Sequence, residues 1–483
     1  MKRIRNFLFK NTSQKQTIFK NTFWLSFSEV IVRLLKLSLI IYVARILGAT
    51  EYGKFTFAFA FISLFAIFSD LGISPIVARD IAKDKEKEKE FSSVLSLKIL
   101  LAIGGMVAVF VGSFFITSDP LIRKLIWVLG IYASSASFSS IIYAFLQARQ
   151  RMEYQAWIVV FQTFLVTGAG FFVLFNFPSV RNLGLAYLFA SLASLILLLF
   201  IFNFKFFRLK LSFNKTVWKN LIKVSWPLAL AGMFATVYNS IDSVMMGYWG
   251  QITETGWYNA SYKIIGITLI PMGLIGQVFY PALSRFSKKS KESFQNIWNK
   301  QMEMMIILAV PIMVGGIALA PKIIKLIYSE SFLPATLSLK ILLIMTAILF
   351  LSNPIQQAIV VFNQQKKLFW ITMTGAIINI FLNFLLIPKY SLNGAAIATL
   401  ITYAIVFFLL IKLVVKFSPI HPINLKFFSA LTVAIIASIP MYFVITYSKI
   451  YNLNVIFSVI IGTMIYFLFI LSAKKILKKN RMF

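Results

Sequence analysis

Apolar runs of about 20 residues, the length that crosses a hydrocarbon core as a helix, recur fourteen times along the chain, separated by short polar stretches. They fall near 22–46, 55–78, 92–116, 122–146, 155–177, 183–204, 224–248, 257–283, 301–320, 336–361, 368–388, 393–415, 427–447 and 453–473. Polar residues interrupt two of them. The fourth carries Ser134, Ser135, Ser137, Ser139 and Ser140, and the tenth carries Asn353, Pro354, Gln356 and Gln357. The pattern predicts an all-α, polytopic membrane protein of about fourteen transmembrane helices.

Charge adds a direction to this picture. With the amino terminus placed inside, Lys and Arg favour the inner loops over the outer ones by about four to one, the bias of the positive-inside rule. That predicts a multi-pass protein of the cytoplasmic (inner) membrane with both termini in the cytoplasm, and it favours an even number of spans. Composition agrees. A chain that is 59% hydrophobic and 13% charged, with a mean hydropathy of +0.83, lacks the roughly 25% charge of a soluble domain. The net charge of +33 sits in short loops between apolar runs, so membrane lipids with anionic headgroups are the expected neighbours and nucleic acid is not. With no cysteine, disulfides and thiol chemistry are excluded. The first 21 residues are basic but hold no short apolar segment with a small-residue cleavage site, so no cleaved signal peptide is expected. The outer loops are short, and the longest inner loop, 205–223, is too small to fold alone.

The runs repeat. Gly48 and Gly53 after the first span recur as Gly250 and Gly256 after the seventh. Pro75 and Arg79 recur as Pro281 and Arg285, and Asn182-Leu183-Gly184 resembles Leu392-Asn393-Gly394. A lag of six helices is even, so two halves of the same orientation are expected, related by an axis along the membrane normal. This predicts two pseudo-symmetric six-helix lobes, 1–220 and 221–417, followed by a helix pair at 418–483.

Ionisable residues inside the spans are the candidates for function. Glu29, Arg33 and Lys36 share one face of the first span by their spacing of four and three. Arg33 and Lys36 fall near the midplane, where each costs about 2.5–3.5 kcal/mol, which together offset the ~7 kcal/mol contributed by the span's apolar residues. One reading pairs Glu29 with Arg33 and lets Lys36 snorkel. The other makes the face a cationic lining for an anionic substrate, Arg through its forked donors and Lys as a mobile point charge. Lys98, Lys263 and Asn239 complete the candidate substrate-binding set. Glu29, Asp70 and Asp242 are candidate coupling or structural acids, with Asp70 and Lys98, and likewise Asp242 and Lys263, near enough in depth to form ion pairs instead. Arg45 and Lys340 lie near span ends and are expected to snorkel. Prolines at 227, 271, 311, 354 and 440 can bend their helices.

No Walker A sequence, metal-spaced cluster, HExxH or nucleophile elbow is present. The single histidine, His421, sits between Pro419 and Pro422 in an inner loop. No cofactor, no metal and no catalytic residue is therefore expected, and the chain reads as a carrier rather than an enzyme, driven by an ion gradient, the membrane potential or product removal.

Specific residues give the carrier a family. Asn21-Thr22-Phe23-Trp24 at the start of the first span, Ala44-Arg45-Ile46-Leu47-Gly48 at its end, Glu51-Tyr52-Gly53, and Asp70-Leu71-Gly72 resemble the polysaccharide (O-antigen type) flippases of the multidrug/oligosaccharidyl-lipid/polysaccharide export superfamily. The resemblance covers essentially the whole chain. It implies two six-helix lobes around a cavity that opens alternately to each side, an undecaprenyl-diphosphate-linked oligosaccharide as cargo, and contact between the diphosphate and Arg33 and Lys36. It also puts Asp70 and Asp242 in regions where the family often has acids, with H+ or Na+ as the open choice of coupling ion. Fourteen spans are closest to the lipid II flippase branch, whose last two helices line a groove for the lipid tail. The expected partners are this polyprenyl-linked glycan, membrane lipids, and a glycan polymerase with other polysaccharide-assembly proteins. Two other functions compete. A multidrug exporter of organic cations would suit an acidic cavity better than this one, and a membrane-embedded glycan polymerase or ligase would need catalytic residues in longer outer loops.

Overall fold

The computed structural model describes residues 11–287, 290–418, 420–451 and 454–479, and all their regular structure is helical. In chain order the helices are α1 (Gln14–Ala66), α2 (Ile73–Lys83), α3 (Phe91–Ile116), α4 (Pro120–Ala148), α5 (Met152–Asn176), α6 (Val180–Lys205), α7 (Lys215–Tyr248), α8 (Ile252–Thr268), α9 (Ile270–Phe286), α10 (Lys291–Ile327), α11 (Thr336–Val361), α12 (Gln365–Phe417), α13 (Leu425–Thr446), α14 (Ser448–Tyr451) and α15 (Val455–Lys479). Among the described residues, eleven helices are long and apolar enough to cross a membrane, with α8 and α9 taken together as one of them. The difference from fourteen apolar runs has physical causes. The 53-residue α12 joins two runs across a bend at Ser391, where φ is 51°. The 53-residue α1, charged along its length, is not among the eleven although it bends at Gly48 between two runs.

Polar caps set the helix starts. Ser13, Asp119, Ser179 and Asn214 each accept a hydrogen bond from a backbone N–H of the first turn of α1, α4, α6 and α7, satisfying donors that have no partner within the helix. Pro120 then occupies the first turn of α4, where a missing N–H costs nothing. Pro271 plays the same part at the start of α9. The run at 257–283 is therefore two helices that part at Leu269, and the proline opens a helix instead of bending one. Pro227, Pro311, Pro354 and Pro440 do lie inside α7, α10, α11 and α13.

The chain forms two compact units, Met1–Gly256 and Trp257–Phe483. In the first, Phe91, Phe145 and Phe202 bring α3, α4 and α6 together with ring centroids 4.7 to 5.7 Å apart, and Ile73, Val77 and Ile81 lay α2 on the same core. Helix α7 packs on α1, α2 and α3, within the unit that ends at Gly256. In the second unit, Phe294, Trp298, Met302, Ile306 and Val310 form a stripe on α10, packed with Ile355 and Ile359 of α11, Leu410 of α12 and Ala434 of α13. The Tyr466 hydroxyl donates to the carbonyl of Ile307 at 2.9 Å, which ties α15 to α10.

The repeat seen in the sequence has a geometric counterpart inside the first unit. Gly48 and Gly250 both have φ of +76°, the left-handed region that glycine occupies without strain. A few residues on, a Cβ at Gly53 would overlap the carbonyl oxygen of Ile252, and a Cβ at Gly256 would overlap that of Ala49. Beside them the Thr50 and Thr253 hydroxyls lie 2.8 Å apart. Positions 49, 50 and 53 thus meet 252, 253 and 256 reciprocally, as a local two-fold relation requires.

Candidate functional site

The first half of α1 has three faces. Taking Lys20 as zero and about 100° per residue, the buried Trp24, Ser28, Val32 and Leu39 fall at about 40–120°, and the exposed apolar Phe23, Phe27, Val30 and Leu34 at about 280–340°. Glu29, Arg33 and Lys36 occupy the third arc, about 160–220°, and all three are exposed. Exposed apolar side chains on a membrane helix belong against lipid. The charged arc is a separate exposed strip that lies on neither the lipid side nor the packed side. Within it the Arg33 Nε donates to Glu29 Oε1 at 2.6 Å, while Lys36 makes no hydrogen bond or ion pair among the described residues and is attracted by Glu29 at longer range.

What holds the strip in this rotation was not evident in the sequence. Lys20, wholly buried, donates to Glu153 Oε2 at 2.9 Å, to Asn11 Oδ1 at 2.6 Å and to the Gln150 carbonyl at 3.1 Å. Asn21 adds a bond to Gln150 Oε1 at 2.5 Å. The start of α1 therefore turns its polar residues to the turn between α4 and α5 and its phenylalanines outward. The available signal was Lys20, Asn21 and Trp24 on one face with Phe19, Phe23 and Phe27 on another, an inverted amphipathic pattern.

Asp70 and Lys98 come together where the second apolar run breaks. After α1 the chain makes a single 3-10 turn, Ile67–Ser69, then passes Leu71 at φ 49° and Gly72 at φ 67° before α2 begins. The sequence predicted one continuous span over 55–78; an Asp-Leu-Gly turn interrupts it instead. Asp70 Oδ1 receives the Lys98 ammonium and the Ser74 hydroxyl, the latter at 2.5 Å, with Ser140 at 3.4 Å. Ser137 donates to the Ser69 carbonyl at 3.0 Å, satisfying an acceptor that the break leaves open. Two of the five serines of the fourth run, Ser137 and Ser140, are thereby explained, because α4 supplies their hydroxyls to a neighbouring helix that has lost its own bonds, whereas Ser135 and Ser139 bond carbonyls of α4 itself. Lys98 is paired and fully buried here rather than exposed like Arg33 and Lys36.

Of the remaining candidates, Asp242 is buried on α7 and Asn239 is exposed on the same helix, donating to the Ala235 carbonyl at 2.7 Å. Lys263 is exposed on α8. Among the described residues no cluster of three or more His, Asp or Glu offers a metal site. His421 is exposed, and its backbone N–H donates to Gln295 Oε1 at 2.9 Å; Pro419 lies outside the described residues. In the loop after α2, Glu88 holds the Arg149 guanidinium above its ordinary range through a hydrogen-bonded ion pair.

Residues 18–287, more than half of the chain, match the polysaccharide biosynthesis protein family. The chain belongs to that family. The match spans α1 to α9 and so includes every candidate site residue. Among curated relatives of this family member is the probable low-salt glycan biosynthesis flippase Agl15 of Haloferax volcanii, 20% identical over 377 residues, covering 76% of this chain and 77% of that one. Another is the capsular polysaccharide biosynthesis protein CapF of Staphylococcus aureus, 22% identical over 396 residues, covering 79% and 96%. The fold is similar to that of the lipid II flippase MurJ in an inward closed conformation, with a TM-score of 0.76 at 18% identity over 95% of this chain and 99% of that one. At that identity the likeness is one of fold.

Proposed function

We propose that this member of the polysaccharide biosynthesis family is a flippase that carries undecaprenyl-diphosphate-linked oligosaccharides from the cytoplasmic to the outer leaflet by alternating access. The observation that carries the reading is the exposed Glu29-Arg33-Lys36 strip, set apart on α1 from both the lipid-facing and the packed arcs. A diphosphate entering a membrane loses hydration that only paired charges and hydrogen bonds can replace. Arg33 offers forked donors to its oxygens and Lys36 a mobile second charge. Glu29 holds Arg33 until an anion competes for it. The family membership and the names of the relatives support the same cargo class.

In this reading residues 1–220 and 221–417 act as two lobes with 418–483 as an added helix pair, both termini are cytoplasmic, and H+ or Na+ is the coupling ion. Lys98, Lys263, Asn239 and Asp242 contribute to the substrate path or its coupling, and a glycan polymerase consumes the delivered unit. The test is to delete the gene and measure the sidedness of lipid-linked oligosaccharides in oriented vesicles. Intact units accumulating on the cytoplasmic face, relieved by the wild-type gene, support the reading. Unchanged sidedness with greater accumulation of cationic dyes would replace it with a drug exporter, and altered glycan chain length with a polymerase.

A further inference from the structure

Helix α9 in the second unit has the same three-faced build as the first half of α1, with neutral residues where α1 carries charges. Taking Gly276 as zero and about 100° per residue, Met272, Ile275 and Leu283 fall at about 260–340°. The first two pack against the cluster of Met305, Ala309 and Phe350, and Leu283 belongs to the core that holds Trp298. Gly276 fixes the rotation, because a Cβ there would come within 2.6 Å of Gln357 Nε2 and 2.9 Å of Asn353 Oδ1 on α11. Gln357 is held in turn, since Gln301 Nε2 of α10 donates to its Oε1 at 3.0 Å. Leu274, Val278 and Pro281 take about 140–200° and are exposed, as apolar residues on the lipid side are. Tyr280, Ser284 and Gln277 take the remaining arc, about 40–100°, and all three are exposed. Gly273 lies among them at about 60°, with open space where its Cβ would stand.

Hydrogen bonding separates this arc from the lipid side. A hydroxyl that faces hydrocarbon is satisfied by its own helix. The exposed Thr374 of α12 and Ser472 of α15 do this, each donating to the carbonyl four residues back at 2.9 Å. On α9, by contrast, the side chains of Gln277, Tyr280 and Ser284 make no hydrogen bond among the described residues. An amide, a phenol and a hydroxyl are thus left on one exposed arc with their donors and acceptors open, an arrangement that suits water or a polar ligand and not lipid.

We propose that Gln277, Tyr280 and Ser284 form a saccharide-contacting strip that recognises the uncharged hydroxyl groups of the carried oligosaccharide. The chemistry matches, because an amide and two hydroxyls both donate and accept, as sugar hydroxyls do. The Tyr280 ring adds an apolar face with a polar tip, which complements the C–H face of a pyranose. No charge lies on the arc, so it offers a diphosphate nothing comparable to Arg33 and Lys36, and it offers an organic cation no acid. From Gln277 to Ser284 the strip rises about 10 Å along α9, longer than one sugar ring. The assignment rests on the flippase reading and concerns the part of the cargo that Arg33 and Lys36 do not hold.

The chain has no cysteine, so single thiols can report each face. Gln277→Cys, Tyr280→Cys and Ser284→Cys, with Leu274→Cys and Val278→Cys as the lipid-side set, are reconstituted as the full chain in vesicles and treated with a water-soluble methanethiosulfonate. The strip should react at least about tenfold faster than the lipid-side set, because the reactive thiolate is suppressed in apolar surroundings. Lipid-linked oligosaccharide extracted from the gene-deleted strain should then slow the reaction of the strip several-fold, and undecaprenyl diphosphate without a glycan should not. Equal reactivity of the two sets, no protection by the oligosaccharide, or equal protection by undecaprenyl diphosphate each overturns the inference. If a strip variant fails to fold, Gly273→Cys on the same arc takes its place. Cytoplasmic accumulation in the sidedness assay together with an unreactive or unprotected strip removes only the strip, whereas unchanged sidedness with a reactive strip removes the flippase reading.

Discussion

Alanine at Gly53 or Gly256 should force apart a contact that has no room for a methyl group. Each new Cβ would lie well inside contact distance of a backbone oxygen, Ile252 O for Gly53 and Ala49 O for Gly256. A carbonyl cannot rotate away as a side chain can, so the two backbones must separate by roughly 1 Å to restore the ~3.3 Å that a carbon and an oxygen require. Overpacking of this kind costs about 1–3 kcal/mol, which at 1.4 kcal/mol per tenfold lowers the closed contact by about 5- to 150-fold. The Thr50 and Thr253 hydroxyls, 2.8 Å apart, provide the reporter. Replacing both by cysteine sets two sulfurs near bonding distance in a chain with no other thiol. Oxidative cross-linking of Thr50→Cys/Thr253→Cys should be rapid, and addition of Gly53→Ala or Gly256→Ala should slow it by about the same 5- to 150-fold. Equal cross-linking rates with and without the alanine would refute the close approach from which the cost is worked.

Neutralising Arg33→Gln and Lys36→Gln together should abolish flipping in the vesicle assay while leaving membrane abundance unchanged, because both side chains are exposed; full flipping by the double variant would remove them from the site. Lys20→Met should destabilise the protein by less than the roughly 3–5 kcal/mol of an orphaned buried charge, because Arg151 Nη1 stays 3.4 Å from Glu153 Oε1; a thermal melt of Lys20→Met beside Lys20→Met/Arg151→Gln, with the double variant losing more, checks this. Gly72→Ala should cost more than about 1 kcal/mol, since its φ of 67° disfavours any Cβ and α7 lies against it; a melting temperature equal to wild type would contradict this. Glu88→Gln should change stability by less than about 1 kcal/mol, because its partner Arg149 is largely at the surface, and the melting temperature again decides.

The membrane-spanning helices and the charged face of α1 were legible because each rests on a local pattern: twenty apolar residues, or charges at spacings of four and three. The broken second run was not. Asp70-Leu71-Gly72 is a turn signal, but it sits in an apolar stretch whose length alone satisfied the rule for a span, and the serines that support the break lie on another helix. Lys20 and Glu153 stayed hidden for a similar reason, since they are 133 positions apart and Lys20 looks like one more inner-face cation. The Glu29–Arg33 pair shows the opposite case, a contact fixed by helix geometry alone and therefore readable from the sequence. The packing of α7 against α1, α2 and α3 is something no pattern within α7 reveals.

The reciprocal glycine contact bears on how such a chain can change over generations. Had the two halves been identical separate polypeptides meeting on an axis, one codon substitution at this position would have placed two methyl groups in the same crowded spot, and a tolerable change would have been doubled into a damaging one. Joined in a single gene, codons 53 and 256 mutate independently. Selection can then adjust one side of the contact while the other preserves the close approach, so a single chain gives this pair an inheritance of half-steps that a symmetric dimer never has.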